Sequence, residues 1–331
     1  SPMSRGLGDV YKRQAQEAQD RAASSLLSSL EGTGLDAVYF VNSGTEAIEG
    51  AMKLARRATG RTEILAVEGG YHGATFGALS LSTPSYRRNA FMPLLPDVSH
   101  VPFGSAAAVD RITERTAAVF VETVQGDAGI RPVPADHLHA LRKRCSDVGA
   151  LLVLDEIQCG LGRTGHVHAF QRVGVVPDIL VLGKALGGGM PIGAFVAGRE
   201  CMSSLREHPK LGHITTFGGH PMACAAAAAF LQELQGLDWE RIRSTGAQWK
   251  QALSAHPAVV DVRGHGHFLG VDLDGPDRVS ALVAAARKRG VVLFWFLSRP
   301  QGFRLAPPLN ASADELNQAL QWLLESLDEV Q

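Results

Sequence analysis

The sequence predicts an α/β protein with a mostly parallel central sheet, helices on both faces, and a small C-terminal α+β domain. First, short apolar runs alternate with helical periods after residue 36, which is typical of βαβ units. Second, the runs are only four to six residues long, as strands buried in a parallel sheet are. Third, the pattern changes near Gly236, where a charged helix and short strands begin. We therefore expect a large domain at 15–235 and a small domain at 236–331.

Six apolar runs predict the strands of the large domain: Ala37–Val41, Ile64–Val67, Ala117–Val121, Ala150–Leu154, Ile179–Leu182 and Ile192–Ala197. Three helical periods predict its main helices: Thr45–Ala58, Ala135–Val148 and Pro221–Leu234. The small domain is expected to contain a helix ending near Ser254, strands around Val259–Val262, Phe268–Leu273 and Val291–Phe296, and a final helix over Ala313–Val330.

Composition limits the classes of partner. The chain has 331 residues, is 45% hydrophobic and carries a formal net charge of −1, so its charge does not favour nucleic acid or an anionic membrane. No apolar run approaches the roughly 18 residues of a transmembrane helix. The cysteines Cys145, Cys159, Cys201 and Cys224 have no CxxC spacing, which favours reduced thiols in a cytoplasmic protein.

The stretch LVLGKALGGGMPIGAF, residues 180–195, places Lys184 after an apolar strand and before three consecutive glycines. It is not a phosphate-binding P-loop, because that motif needs glycine where Asp178 stands and Ser or Thr where Ala185 stands. A solvated lysine on a surface turn is the ordinary alternative. Ligands of open α/β sheets bind outside the carboxyl ends of the strands, and Lys184 follows such an end. A lysine that does covalent chemistry is therefore a candidate.

Four further stretches of the large domain each contain a candidate binding feature. They are Ser43-Gly44-Thr45 at a helix N-terminus, Tyr71-His72-Gly73 in a glycine-rich turn, Asp155 at the end of an apolar strand, and Thr215-Thr216 before two glycines. Each has an ordinary explanation when taken alone: a cap, a packed aromatic, a surface carboxylate and a turn. Together, an anion cradle, an aromatic ring, a carboxylate and a lysine amine are the parts that pyridoxal 5′-phosphate requires.

The chain resembles the class III aminotransferases, a subgroup of the fold-type I pyridoxal-phosphate enzymes. The resemblance extends from about Asp36 to about Leu324 and rests on the motifs SGTEA, YHG, DEIQ-x-G-x-GRTG, GKALGGG, TFGGHP and RLAPPL. It implies a pyridoxal-phosphate-dependent aminotransferase of the α/β fold-type I class. A homodimer is the assembly that it implies.

The resemblance implies a role for each matching residue at the cofactor ring. Lys184 would hold the cofactor through a Schiff base and move the substrate proton, and Asp155 would bind the pyridine nitrogen. These two are the expected catalytic residues. Gln158 would hydrogen-bond the ring oxygen O3′. Tyr71 would stack on the ring, with His72 shaping the turn.

The same resemblance assigns the cofactor phosphate to residues 43–45. It gives Thr216 a contact with the phosphate of the neighbouring subunit. Glu122, in VETVQGDAG, would lie near the ring on the substrate side. Arg304, in FRLAPPL, would bind the substrate α-carboxylate as a bidentate fork.

Two positions depart from the pattern of many family members. Ala74 follows the YHG motif where many members have an arginine that binds a substrate carboxylate. A distal carboxylate or succinyl group would therefore need another partner. Asp127 stands where many members have a glutamate that shields the arginine matching Arg304. The shorter side chain is expected to loosen that gate.

The predicted reaction moves the ω-amino group of a diamino or ω-amino acid, such as ornithine, acetylornithine or diaminobutyrate, to an oxo acid such as 2-oxoglutarate. Two alternatives stay open: a non-catalytic cofactor-binding remnant, and aminomutase or decarboxylase chemistry on the same lysine. The remnant is considered because family members have an N-terminal segment before the stretch matching Asp36. Here residues 1–14, SPMSRGLGDVYKRQ, lack apolar periodicity, and we expect a disordered or artefactual lead-in to an N-terminally truncated chain.

Other motifs are weaker. The stretch GHGHFLG at 264–270 has one residue too many for the dinucleotide motif G-x-G-x-x-G. Three H-x-H pairs, His137/His139, His166/His168 and His265/His267, have no third ligand at a fixed spacing. We therefore predict no metal site.

Overall fold

The computed structural model describes residues 16–207, 209–210 and 212–330. The lead-in expected at 1–14 lies outside these residues. Within the described ranges, no helix combines the length and the apolar character needed to cross a membrane.

The strands of the described residues are β1 (Ala37–Val41), β2 (Glu63–Val67), β3 (Val98–Val101), β4 (Thr116–Glu122), β5 (Val124–Gln125), β6 (Arg131–Pro132), β7 (Leu151–Asp155), β8 (Ile179–Leu182), β9 (Gly193–Ala197), β10 (Asp261–His265), β11 (Phe268–Asp272), β12 (Phe294–Trp295) and β13 (Gly302–Leu305). The α-helices are α1 (Glu17–Ser28), α2 (Gly44–Thr59), α3 (Phe76–Leu81), α4 (Tyr86–Asn89), α5 (Ala106–Asp110), α6 (Ala135–Val148), α7 (Arg199–Ser203), α8 (Pro221–Gln235), α9 (Trp239–Ser254), α10 (Pro276–Lys288) and α11 (Ala313–Glu329). Two 3₁₀ helices cover Ala169–Arg172 and Lys184–Gly187.

The first compact unit, formed by the described residues up to 122 with 134–158 and 173–236, contains a seven-stranded sheet. The strand order is β1-β9-β8-β7-β4-β2-β3. The pairs from β8 to β3 are parallel, whereas β9 is antiparallel to both β8 and β1. All strands except β9 therefore end at the same edge. The predicted mostly parallel sheet is confirmed.

The core of this unit lies between the sheet and α2. Strands β4, β8 and β9 are buried along their whole length, which matches their continuous apolar sequences. Ile48 of α2 packs in one cluster with Phe120 and Phe195 of the sheet. Gly50 permits this packing, because a Cβ at that position would overlap the Phe195 ring. Helix α2 ends at Gly60, whose φ of 69° is the left-handed conformation that glycine accommodates.

The second compact unit comprises residues 123–133, 159–172 and the described residues from 237 onward. It contains a four-stranded antiparallel sheet in the order β10-β11-β13-β12, and a hairpin of β5 and β6. Its core joins Phe303 of β13 to Trp249 of α9, Leu282 of α10 and Leu320 of α11.

The structure differs from the expected elements in the second unit and at one edge of the large sheet. Strands β3, β5, β6 and β13 were not predicted, and the strand expected at Val259–Val262 is β10, at Asp261–His265. The apolar run at 291–296 forms strand only at Phe294–Trp295. Both residues of that short strand are exposed, so burial does not extend it.

Two segments that the sequence assigned to the large domain, 123–133 and 159–172, group with the second unit. Contacts distant in sequence hold them there. Arg263 Nε donates to the Gly129 carbonyl at 2.9 Å, and Arg243 Nη1 donates to the Gly165 carbonyl at 2.9 Å. Such contacts leave no periodicity in the local sequence.

Candidate active site

Two buried carboxylates lie side by side where the strands of the large sheet end. Glu122 is the last residue of β4 and Asp155 the last of β7, and the parallel register pairs them directly. Their exposed fractions are only 5% and 3%. A buried carboxylate is costly unless hydrogen bonds or cations satisfy it, so the partners of these two groups define the site.

His72 is a partner of Asp155. Its Nδ1 lies 2.7 Å from Asp155 Oδ2, and Asp155 Oδ1 accepts a 2.9 Å hydrogen bond from the Ile157 N–H. Burial lowers the pKa of His72, but the hydrogen bond and charge of Asp155, with the charge of Glu122, outweigh it and raise the pKa above its usual value. The sequence suggested only that His72 shapes a turn. Its pairing with Asp155 joins residues 83 apart, which no local pattern reveals.

Tyr71 contacts the neighbouring carboxylate. Its backbone N–H donates to Glu122 Oε1 at 2.8 Å, while the residue as a whole is 38% exposed. The guanidinium carbon of Arg87 lies 5.4 Å from the centroid of this ring, a cation–π contact that the sequence did not predict. An accessible aromatic ring is thus anchored beside the two carboxylates.

Helix α2 begins at the same edge of the sheet. Ser43 caps it, with Oγ accepting the Glu46 N–H at 3.4 Å, and the first N–H groups of the helix have no intrahelical acceptor. The backbone at Gly44 packs closely on the next segment, because a Cβ there would lie 2.9 Å from Ile157 Cδ1. Free N–H groups beside a glycine suit an anion such as a phosphate.

Lys184 follows β8 and begins the 3₁₀ turn Lys184–Gly187. Its φ of 44° lies in the left-handed region, where a non-glycine residue is strained by about 1–3 kcal/mol, and such strain concentrates at functional sites. The preceding Gly183 packs on the α2 N-terminus, since a Cβ there would lie 3.3 Å from Gly44 Cα. The Lys184 side chain is exposed, and no hydrogen bond or ion pair with another described residue engages its amine.

Two further predicted residues, Gln158 and Thr216, belong to the first unit. Gln158 is half-buried, three positions after Asp155. Thr216 is exposed on the loop before α8. That loop packs on β1, because a Cβ at Gly218 would lie 2.6 Å from the Phe40 carbonyl oxygen.

Arg304 belongs to the second unit. It lies on β13, paired across the sheet with Gly270 and Phe294, and its guanidinium carbon is 5.0 Å from the Phe294 ring centroid. Burial lowers the pKa of Arg304, and the charge of Asp127 acts in the opposite direction. Asp127 accepts a hydrogen bond from the Ser298 hydroxyl. The departure noted at Asp127 thus has a specific partner that the sequence did not indicate.

The chain is similar in sequence to known proteins. The family model described as Aminotransferase class-III matches residues 11–327. The chain is 40% identical over 308 residues to the acetylornithine aminotransferase of Methanopyrus kandleri, covering 92% of this chain and 78% of that protein. It is 37% identical over 311 residues to the putrescine aminotransferase of Pectobacterium atrosepticum, covering 89% of this chain and 66% of that protein.

The chain is also similar in fold to proteins of known structure. The ornithine aminotransferase of Toxoplasma gondii, whose active site holds partially occupied PLP, superposes with a TM-score of 0.87 at 30% identity, covering 96% of this chain and 77% of that chain. An (S)-enantioselective omega-transaminase from Thermomicrobium roseum superposes with a TM-score of 0.83 at 30% identity, covering 96% and 80%. The similarity extends over almost the whole chain.

Proposed function

Because this chain belongs to the class-III aminotransferase family, we propose that it moves the ω-amino group of a diamino or ω-amino acid to an oxo acid. Its cofactor is pyridoxal 5′-phosphate, and the fold-type I class expected from the sequence is confirmed. One observation carries the proposal. The Lys184 turn, the N-terminus of α2, the Tyr71 ring and the Asp155 carboxylate all lie where strands of one sheet end.

The groups at this edge fit the parts of the cofactor. The N-terminus of α2 has N–H donors for a phosphate, and Gly44 lets the backbone pack closely against Ile157 there. Asp155 is a buried carboxylate, which suits a protonated pyridine nitrogen. Tyr71 has an accessible ring, and Lys184 has an amine for the aldehyde.

Each residue then has a definite task. When bound, the cofactor supplies an electron sink for the carbanion formed at the substrate carbon. Lys184 Nζ would bind the cofactor and also accept and return the substrate proton, a role worth roughly 10²–10⁴-fold in rate. Asp155 would hold a proton on the pyridine nitrogen, each pKa unit of this effect being worth about 1.4 kcal/mol. Gln158 would bind O3′. Glu122 would orient the turn that carries Tyr71.

The substrate class is inferred from the relatives and from Arg304. Relatives named acetylornithine and putrescine aminotransferases support an amine at the end of an aliphatic chain. Arg304 would bind the α-carboxylate of an amino acid donor and of the acceptor, for which we propose 2-oxoglutarate. Ala74 has no charge, so it would not bind a distal carboxylate.

We also propose a cytoplasmic homodimer in which Thr216 contacts the phosphate bound by the neighbouring subunit. Its loop and the start of α8 expose Ile214 (51%), Phe217 (58%) and Met222 (64%), and exposed apolar residues of this kind favour a protein interface. The four cysteines are free thiols, which supports a reducing compartment.

The test uses the purified chain reconstituted with pyridoxal 5′-phosphate. We expect visible absorption from covalently bound cofactor in the wild type and in Lys250→Ala, an exposed control on α9, and none in Lys184→Ala. Ornithine, acetylornithine, diaminobutyrate, γ-aminobutyrate and putrescine are then added singly with 2-oxoglutarate, and glutamate formation is measured. Cofactor binding without glutamate from any donor would contradict the proposed transfer. It would favour the cofactor-binding remnant, or mutase or decarboxylase chemistry if the donor is converted.

A further inference from the structure

A chain of hydrogen bonds joins helix α2 to the segment that leads into α3. Glu49 Oε1 accepts the backbone N–H of Gly77 at 2.9 Å and of Ala78 at 3.1 Å. Thr75 Oγ1 lies 2.5 Å from the same oxygen, and Thr45 Oγ1 lies 2.7 Å from Thr75 Oγ1. The Thr75 N–H also donates to Thr45 Oγ1 at 3.3 Å.

The donor in each of these hydrogen bonds follows from counting the available protons. Glu49 Oε1 accepts two N–H groups, so it is an acceptor, and Thr75 must donate its single hydroxyl proton to it. Thr75 Oγ1 then has only lone pairs left for Thr45. Thr45 must therefore donate its own hydroxyl proton to Thr75. No proton of the Thr45 side chain remains for any other acceptor.

Close packing holds these hydrogen-bonded side chains in place. A Cβ at Gly73 would overlap Thr45 Oγ1, and a Cβ at Gly77 would overlap the Glu49 carboxylate. The φ of Gly73 is 134°, which also requires glycine. Thr45 and Glu49 thus lie directly against the backbone of the segment that carries His72, and their other rotamers are restricted.

A phosphate accepts hydrogen bonds, so its protein partners must be donors. We propose that Glu49 is a positioning residue that commits the hydroxyl proton of Thr45 to Thr75, so that the cofactor phosphate is bound at the α2 N-terminus by backbone N–H groups and not by the Thr45 hydroxyl. The inference rests on the proposed function. It refines the role expected for Thr45, and it gives Glu49 and Thr75, which the sequence did not single out, a part in the cofactor site.

The test compares the dissociation constants of pyridoxal 5′-phosphate and of pyridoxal, which lacks the phosphate. The ratio of the two constants isolates the contribution of the phosphate. In the otherwise wild-type chain, Thr45→Val is expected to leave this ratio within about threefold, because it removes no donor to the phosphate. Circular dichroism and thermal unfolding of each variant show that the fold is kept.

The role of Glu49 is tested by repeating Thr45→Val in two backgrounds. Glu49→Gln keeps an oxygen that accepts from Gly77, Ala78 and Thr75, so Thr45→Val should again have no effect on the ratio. Glu49→Leu releases both hydroxyl protons. In that background Thr45→Val should reduce the preference for the phosphorylated ligand about tenfold, the size of one hydrogen bond to a charged group.

The outcomes are distinct. A tenfold reduction by Thr45→Val alone, or in the Glu49→Gln background, overturns the inference. If Glu49→Leu does not fold, Thr45→Val is repeated in the Thr75→Val background, which also releases the Thr45 hydroxyl proton. The same tenfold reduction is expected there, and no reduction would overturn the inference. A wild-type chain that binds neither ligand overturns the proposed function instead, because then no cofactor site exists to be positioned.

Discussion

The imidazole of His72 and the carboxylate of Asp155 meet at 2.7 Å between Nδ1 and Oδ2, with side chains 0% and 3% exposed. A buried pair of this kind adds little net stability compared with apolar residues, but loss of one member leaves the other without compensation. His72 therefore fixes the orientation of the group that we assign to the pyridine nitrogen.

Replacing His72 tests this relationship. His72→Leu should lower the free energy of unfolding by about 3–5 kcal/mol, because Asp155 keeps a buried oxygen without its donor. His72→Asn, which retains an N–H donor, should lose clearly less. Both values come from urea unfolding of the chain. Equal losses in the two variants would show that packing, and not the hydrogen bond, is what His72 contributes.

The same pair predicts a pH dependence. The folded-state pKa of His72 is raised, so its contribution to stability is complete below the ordinary histidine pKa of about 6.5 and is lost as pH rises through the folded-state value. The difference in unfolding free energy between wild type and His72→Leu should therefore shrink as the pH rises from about 6 to about 9. It is measured at intervals of roughly one pH unit. A difference that grows with pH would contradict the assigned direction of the shift.

Arg263 forms ion pairs with two aspartates of unequal burial. Replacing the buried one should lower the stability of the protein more than replacing the exposed one. The Asp272 side chain is 3% exposed and accepts 2.8 Å hydrogen bonds from both terminal nitrogens of Arg263, and Arg299 also donates to it. The Asp261 side chain is 52% exposed. Asp272→Asn should cost about 3–5 kcal/mol, and Asp261→Asn less than about 1 kcal/mol. Chemical denaturation of the two variants measures this, and similar losses would show that neither burial nor the second arginine, Arg299, makes Asp272 more important for stability.

Acid should weaken the second unit through its buried histidines. Burial lowers the pKa of His168 to about 3, so its contribution is complete above the ordinary pKa of about 6.5 and is lost as pH falls toward 3. In His168→Gln, the slope of unfolding free energy between pH 6 and 4 should be smaller by about 1.4 kcal/mol per pH unit. Gln318→Ala, at an exposed position of α11 in the same unit, changes no titratable group and is the control, which should leave the slope unchanged.

Gly193 provides a test of the α2 N-terminus. A Cβ there would overlap the carbonyl oxygen of Ser43, so Gly193→Ala must displace the residue that caps α2. We expect a loss of about 1–3 kcal/mol in stability, with weaker binding of pyridoxal 5′-phosphate. Gly236→Ala is the control, because its Cβ would meet only the Glu233 carbonyl oxygen at an ordinary 3.5 Å. Unchanged cofactor affinity in Gly193→Ala would argue against a phosphate at this helix end.

Much of the fold could be predicted from local sequence. The runs Ala37–Val41 and Ile179–Leu182 and the helix Ala135–Val148 coincide with the observed elements to the residue. Apolar periodicity is a property of neighbouring residues, so it is visible in the chain itself. Strand β12 occupies only two residues of the apolar run at 291–296. The edge strand β3 was not predicted, and it pairs with β2, from which two helices separate it in the chain.

The sequence by itself determined the mostly parallel sheet, the family and the residue types available for chemistry. Only the tertiary structure decided that His72 pairs with Asp155, that Glu49 reaches Thr75, and that Ser298 binds Asp127. Each of these contacts joins segments separated by at least 26 residues. Whether two such side chains meet depends on how closely their backbones approach, and this is set by the packing of the whole unit and not by any spacing in the chain.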